Sequence, residues 1–353
     1  MEAPSAGSTE SFFRKPPPPP SEPVPPPWAP APVPAGAGGP PVVRRPTFHG
    51  SGGTLLGIHI VNVLLILVTL GVYYFWAKTR IRRYLFSETQ FEGDRFAYHG
   101  IGKELLLGFL RAFLVFVLPI IVLSVIRDWL DVAAHIKAAA AALSPLLLFL
   151  FLPVALVGAR RYRLSRTSWR GIRFSFRGKA WTFILIFVKG SLLTGLTFGL
   201  YYPFFLTERQ AFMVAHSYFG NERFEFNGRG RDLFGNYLLA VLLTLPTFGL
   251  CWVWFVARKR RFFWNHTRFA TARFRSTVTG GALLGLYVVN VLLLLVTLGL
   301  AWPWVRVRNI RFAFRYLALE GDVDLERIQQ QAQFASATGE GLAGFLDTGF
   351  DLG

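Results

Sequence analysis

Cysteine is almost absent from this chain. Only Cys251 occurs in 353 residues, so no intrachain disulfide can form, and its place inside an apolar run makes it a small packed side chain. Charge is sparse as well. Asp, Glu, Lys and Arg make up 16% of the residues, against about 25% in soluble domains. Acids are the scarcer sign, 20 against 38 Lys and Arg, and none stands inside a long apolar run beyond its edges, which weighs against a proton-coupled pump. The six histidines (49, 59, 99, 135, 216, 266) show no His-x-x-x-His or His/Cys spacing, so no metal and no cofactor is expected. A P-loop, a Gly-x-Ser-x-Gly elbow and a carboxylate pair on one helix are also missing, so the expectation is a protein that is not an enzyme. Residues 1–46 have few large apolar side chains and hold sixteen of the 22 prolines. Such a segment cannot offset its ordering entropy and reads as a disordered, polyproline II-like tail, a candidate ligand for a proline-binding partner. It has no apolar core of the kind a signal peptide needs. Residues 320–353 read as a second, polar tail.

What the chain does have is apolar length. Mean hydropathy is +0.39 and 52% of residues are hydrophobic. Six runs approach or exceed the roughly 20 residues that cross a bilayer: Leu55–Trp76, Leu105–Ile126, Leu143–Gly158, Phe183–Phe205, Leu233–Phe255 and Ala282–Trp304. The third is short and contains Pro145 and Pro153. Arg and Lys cluster just beyond these runs, as they do at the cytoplasmic ends of membrane helices. That placement accounts for the net charge of +18 without nucleic acid, for which no binding module is present.

The runs belong to a repeat of about fifty residues. Thr-x-Gly stands at Thr69, Thr197, Thr247 and Thr297, and an aromatic follows seven residues after each Thr (Trp76, Phe204, Trp254, Trp304). Arg-Phe pairs recur at Arg95, Arg173, Arg223 and Arg273. Five copies start at Phe48, Phe96, Phe174, Phe224 and Phe274. Residues 52–71 and 280–299 are identical at 15 of 20 positions. The second copy is about thirty residues longer and supplies two crossings where the others supply one. The expected fold is therefore an all-α membrane protein over residues 47–319. About six transmembrane helices alternate with basic interfacial helices and short β-hairpin-like turns such as Glu92-Gly93-Asp94. With six crossings and an outside N-terminus, the inside loops hold the larger share of Arg and Lys. The near-identity of the first and last copies sits poorly with opposite orientations, and both orientations stay open.

The strings Phe48-His49-Gly50, Leu70 to Lys78 (LGVYYFWAK), Arg82-Arg83-Tyr84-Leu85, Gly93-Asp94-Arg95-Phe96, Tyr98-His99-Gly100, Gly102 to Leu106 (GKELL), and Arg160 to Thr167 (RRYRLSRT) followed by Trp169 to Phe174 (WRGIRF) occur in order. Over residues 47–319 the chain resembles the YjgN-like bacterial inner-membrane proteins, a family of unknown function. The resemblance implies a multi-pass protein of the bacterial inner membrane and carries no substrate, cofactor or catalytic residue.

Polar residues inside apolar runs are the candidate functional positions. His59, Asn62 and Thr69 share one helical stripe, repeated as Tyr287, Asn290 and Thr297. Such a stripe faces other helices, as interhelical hydrogen bonds or as the lining of a pathway. Arg111 and Lys189 are intramembrane cations that either snorkel or hold an anion. Gly53, Gly57, Gly281 and Gly285 form Gly-xxx-Gly spacings suited to close helix packing. Arg82, Arg83, Tyr84 and Arg160, Arg161, Tyr162 read as interfacial anchors, or as rims that bind anionic lipid headgroups. Three functions follow: a carrier or channel for a small solute, built on inverted repeats; a non-enzymatic envelope protein that binds anionic lipid or organises membrane partners; and an intramembrane enzyme, disfavoured by the missing motifs.

Overall fold

The computed structural model describes residues 43–129 and 133–321. Most of the proline-rich segment and of the C-terminal tail therefore lies outside the described residues.

Four of the six apolar runs fold as two helices each. α1 (Gly52–Val68) ends after 17 residues, and α2 (Tyr74–Ser87) packs back against it. The break is the Thr-x-Gly triplet. Leu70 and Gly71 both take positive φ, 49° and 93°, a pair of left-handed residues that no α-helix accommodates. The Gly71 N–H donates to the Ile66 carbonyl at 2.8 Å, the long-range bond of a Schellman cap. Thr69 Oγ1 donates to the Leu65 carbonyl (2.7 Å) and accepts from the Tyr73 N–H (3.0 Å), holding both sides of the turn. The same bonds recur at Thr197, Thr247 and Thr297, and the same backbone bond at Gly199, Gly249 and Gly299. The later pairs are α6/α7 (Ala180–Leu196, Tyr202–Ala215), α8/α9 (Gly230–Leu242, Cys251–Asn265) and α10/α11 (Gly280–Val296, Trp302–Arg315). In the longer second unit, α3 (Gly102–Ala112) passes through a π-helical stretch, Phe113–Val117, into α4 (Leu118–Asp128), and α5 (Ala134–Ser165) returns. Only Gly102–Asp128 and Ala134–Ser165 are long and apolar enough to span a bilayer among the described residues. Six alternating crossings are thus replaced by five helical hairpins.

The hairpin-like turns are not isolated either. Strands β1 (Val43–Arg44), β2 (Thr47–Phe48), β3 (Thr89–Phe91), β4 (Asp94–Tyr98), β5 (Thr167–Trp169), β6 (Ile172–Phe176), β7 (Ser217–Phe219), β8 (Glu222–Phe226), β9 (Thr267–Phe269), β10 (Ala272–Ser276) and β11 (Leu317–Glu320) join into one antiparallel sheet. Its order runs from β1 through β11 down to β2. The two edges are halves of one segment: Val43 pairs with Glu320 and Thr47 pairs with Gln90. Between them Pro46, which has no N–H to donate, interrupts the ladder. The sheet is therefore closed, which leaves no free edge. An all-α fold is corrected to helical hairpins mounted on a β-ring. The boundaries move as well: Val43–Arg44 and Glu320 belong to the ring and not to tails. Phe48 opposes Thr89 as Tyr98 opposes Thr167 and Phe176 opposes Ser217. Pro46, not Phe48, is thus the counterpart of Phe96.

Strand pairing decides direction. Each helical pair leaves from one strand and returns to the next, and those strands are hydrogen-bonded neighbours: β2 with β3, β4 with β5, β6 with β7, β8 with β9 and β10 with β11. All five hairpins begin and end on the same side. The helices also close into a ring, because α11 packs on α1. At that joint Phe48, Leu55, Leu85 and Val307 are buried together. An aromatic key repeats at the unit boundaries. A Cβ added at Gly102, Gly230, Gly280 or Gly52 would lie 2.5, 2.7, 2.4 or 2.4 Å from Trp76, Phe204, Trp254 or Trp304. The aromatics after each triplet therefore lock one unit to the next.

Candidate functional site

β-Alternation sorts the Arg-Phe pairs. Phe96, Phe174, Phe224 and Phe274 point into the ring, and their preceding arginines point out. Arg45, Arg95, Arg173, Arg223 and Arg273 are all exposed. A second inward layer comes from Phe91, Trp169, Phe219, Phe269 and Leu319. The layers touch around the circle: Trp169 meets Phe219 at 5.7 Å, Phe219 meets Phe269 at 6.0 Å, and Phe224 lies 4.7 Å from Phe269 between ring centroids. Trp169 Nε1 donates to the Phe91 carbonyl (3.2 Å), so its one polar atom is satisfied. These rings line a half-open chamber of about 610 Å³, within the usual range for small-molecule sites. Its helical end is formed by Leu85, Phe86, Ile310 and Phe314, and among the described residues no carboxylate lines it.

Cations gather at that end. On α2, Lys78, Arg82, Leu85 and Phe86 follow one helical face; on α11 the matching face carries Arg306, Ile310 and Phe314, all three in the chamber wall. Lys78, Arg82, Arg163 and Arg160 form a chain of neighbouring, mutually repelling charges between α2 and α5. Arg82 donates to Tyr98 Oη (3.4 Å). Arg160 Nη2 donates to Ser217 Oγ (3.1 Å), while its Nε is buried without a partner. The nearby Glu104 is engaged by Arg166 (2.7 Å) and Tyr162 (3.1 Å). The arrangement is an apolar chamber beneath a basic collar, suited to a ligand with an apolar body and an anionic end. Among the described residues no three His, Cys, Asp or Glu side chains converge as metal ligands would.

The sequence-predicted positions are distributed differently. The polar stripe does not line the chamber. The His59 ring sits 5.2 Å from Trp302. Asn62 is buried, with Nδ2 3.5 Å from the Ala77 carbonyl. Asn290 donates to Asn309 Oδ1 at 2.7 Å, and Tyr287 Oη accepts from Arg260 (3.4 Å). Thr69 and Thr297 are consumed by their turns. Lys189 does not snorkel alone: it pairs with Glu208 of α7 at 3.3 Å, and Tyr201 Oη donates to the same carboxylate. Arg111 is exposed in the last turn of α3. Gly53, Gly57, Gly281 and Gly285 face open space, with nothing within 4 Å of an added Cβ. Close approach is made instead by their neighbours Gly52 and Gly280. The two basic-aromatic triplets tie units together. Arg83 and Arg161 donate to the Gly100 and Gly178 carbonyls (3.5 and 2.7 Å), and Tyr84 Oη donates to the Ser51 carbonyl (3.2 Å). The chamber itself was hidden from sequence reasoning, although Trp169, Phe219, Phe269 and Leu319 stand fifty residues apart.

Comparison with known proteins agrees with a membrane family and names no activity. The inner membrane protein YjgN of Escherichia coli K12 is 36% identical over 129 residues, 36% of this chain and 30% of that protein. Its namesake in Salmonella typhimurium LT2 is 31% identical over 140 residues, 39% of this chain and 33% of that protein. The aligned stretch thus spans about a third of the curated relatives' length. No solved structure matches. A family profile described as "Bacterial protein of unknown function (DUF898)" matches residues 44–256 and 238–345, and the chain belongs to that family.

Proposed function

We propose that this is a non-enzymatic inner-membrane protein that inserts its helical hairpins from one side and engages anionic lipid at that surface. The observation that carries the reading is the strand pairing, which returns every hairpin to the same side. The hairpin tips, Leu70, Phe198, Phe248 and Leu298, are each more than nine-tenths exposed. Water would penalise four such apolar tips; hydrocarbon would not. A 17-residue helix is about 25 Å long, just short of the roughly 30 Å hydrocarbon core. α1, α6 and α10 thus reach deep without crossing, while the longer second hairpin spans. The ring then lies at the membrane surface, on the cytoplasmic side by the positive-inside rule, and its outward arginines attract anionic headgroups at about 1 kcal/mol each near the surface. The relatives' name, inner membrane protein, supports the location.

A carrier or channel for a small solute is the second reading. The closed ring of helices around an axis favours it. The apolar chamber wall and the use of the polar stripe in packing weigh against it.

Single cysteines in a Cys251→Ala background test the proposal. Residues placed at the hairpin turns, Gly93, Asn221 and Ala270, should all react with an impermeant maleimide from one side of the membrane, and those at Phe198 and Leu298 from neither. Turn residues that label from opposite sides would end it.

A further inference from the structure

The β-ring holds a chamber that nothing in a purely structural ring requires. A closed circle of eight aromatics with Pro46 and Leu319 could pack solid; this one leaves about 610 Å³. Its ring-side wall is mainly Phe and Trp, among the described residues its lining carries no carboxylate, and Arg306 enters where the helices begin. On the faces of α2 and α5 beyond it, Lys78, Arg82, Arg160 and Arg163 follow one another as neighbouring cations. Arg160 Nε is buried and unpaired, a costly state that an acceptor atom would relieve. Arg44, at the ring seam, is already engaged by Glu92 and the Gly321 carbonyl, whereas Arg306 stands in the cavity wall at the helical end. The half-open chamber has the size that takes one small ligand.

From this geometry we infer that the chamber binds one acyl chain bearing an anionic head, with the chain among Phe96, Trp169, Phe174, Phe224 and Phe274 and the head at Arg306 and the collar. The inference deepens the lipid reading and rests on it for the membrane setting. It requires polar recognition at one end and burial of a chain at the other, so both ends can be tested separately. The head could be a carboxylate or a phosphate monoester.

The test uses the full chain in neutral detergent, with oleate, lysophosphatidate and the neutral monooleoylglycerol as probes, and bound lipid counted by native mass spectrometry. One equivalent of an anionic probe should be retained, in preference to the neutral one. Ala313→Trp fills the chamber from its helical wall, and Phe224→Trp fills it from the ring. Either, in protein that melts like the parent, should weaken binding at least about tenfold, since much of the chain's apolar contact is lost. Arg306→Gln should weaken the anionic probes by roughly tenfold, the usual size of a lost hydrogen bond to a charge, and leave the neutral one unchanged. A preference between oleate and lysophosphatidate identifies the head. Unchanged binding in both filling variants would place the lipid outside the ring and overturn the inference without touching the one-sided insertion. Equal retention of the neutral probe, indifferent to Arg306→Gln, would overturn the anionic head.

Discussion

Gly190→Ala is the sharpest probe of how the hairpins are held. Gly190 lies in the middle of α6 and is buried. A Cβ there would sit 2.0 Å from Phe205 Cδ2 and 2.6 Å from its Cγ. Phe205 cannot yield easily, because it is buried with Val157, Phe176, Phe183, Phe187 and Phe212. Two effects compete. Replacing Gly by Ala inside a helix stabilises by about 0.8–1.0 kcal/mol. Forcing an extra carbon into a packed core costs about 1–3 kcal/mol. The clash is severe enough that the cost should prevail, with a net loss of about 1–2 kcal/mol. Gly285→Ala provides the control, since it is also mid-helix but has nothing within 4 Å of the added carbon. It should gain up to about 1 kcal/mol. The difference between the two variants isolates the steric term, and Phe205→Leu should recover part of it in a double-mutant cycle. The readout is thermal unfolding of detergent-solubilised protein, where each kcal/mol moves the midpoint by roughly 2 °C for a chain of this size. If Gly190→Ala and Gly285→Ala melt alike, the close packing of α6 on α7 described above is wrong.

Two further outcomes follow from polar pairs. Lys189→Met and Glu208→Met should each lower the amount of folded protein, because each strands the other's charge beside apolar helices, and the double variant should recover it; a double variant no better than the singles would remove the pairing argument. Asn309→Ala should cost about 1–3 kcal/mol by leaving buried Asn290 without its acceptor, whereas Asn290→Leu with Asn309→Leu should be close to neutral; chemical unfolding in detergent distinguishes the two, and an equally large loss in both would mean the pair contributes more than mutual satisfaction.

Much of the repeat's punctuation was legible. Thr-x-Gly marks where each helix ends, and Glu92-Gly93 supplies the two positive-φ residues of a tight hairpin, 52° and 82°. The direction of the chain after Thr-x-Gly was not legible. An apolar run of 22 residues looks like one crossing because that is the length a bilayer needs. The reversal depends on Leu70, Phe198, Phe248 and Leu298 taking φ near 49°, a conformation bulky residues rarely adopt. Beyond hairpin-like turns such as Glu92-Gly93-Asp94, the joining of the strands into one ring was not legible, because several strands are three residues long and alternate too briefly to show a period. The glycine stripe was assigned to the wrong register by one residue. Gly52 and Gly53 are adjacent, and only the neighbouring Trp304 reveals which of them is covered. Likewise, nothing in Arg82-Arg83-Tyr84 distinguishes a membrane anchor from a clasp on the next unit until that unit is seen.

The fold also resolves the tension that sequence alone left open. Residues 52–71 and 280–299 are nearly the same, which is hard to reconcile with helices crossing in opposite senses, since each end would meet a different surface. With both entering from one side, their ends meet the same surroundings. α1 receives Trp304 at Gly52, and α10 receives Trp254 at Gly280, through contacts of the same kind and length. Both are capped at the start by a hydroxyl, Ser51 or Thr279, that accepts from the third residue on. Both end in the same turn, bonded through Thr69 or Thr297. Equivalent neighbours at the start, along the packed face and at the tip impose equivalent side chains. The identity between the two segments is then what equivalent hairpins leaving the ring on the same side lead one to expect.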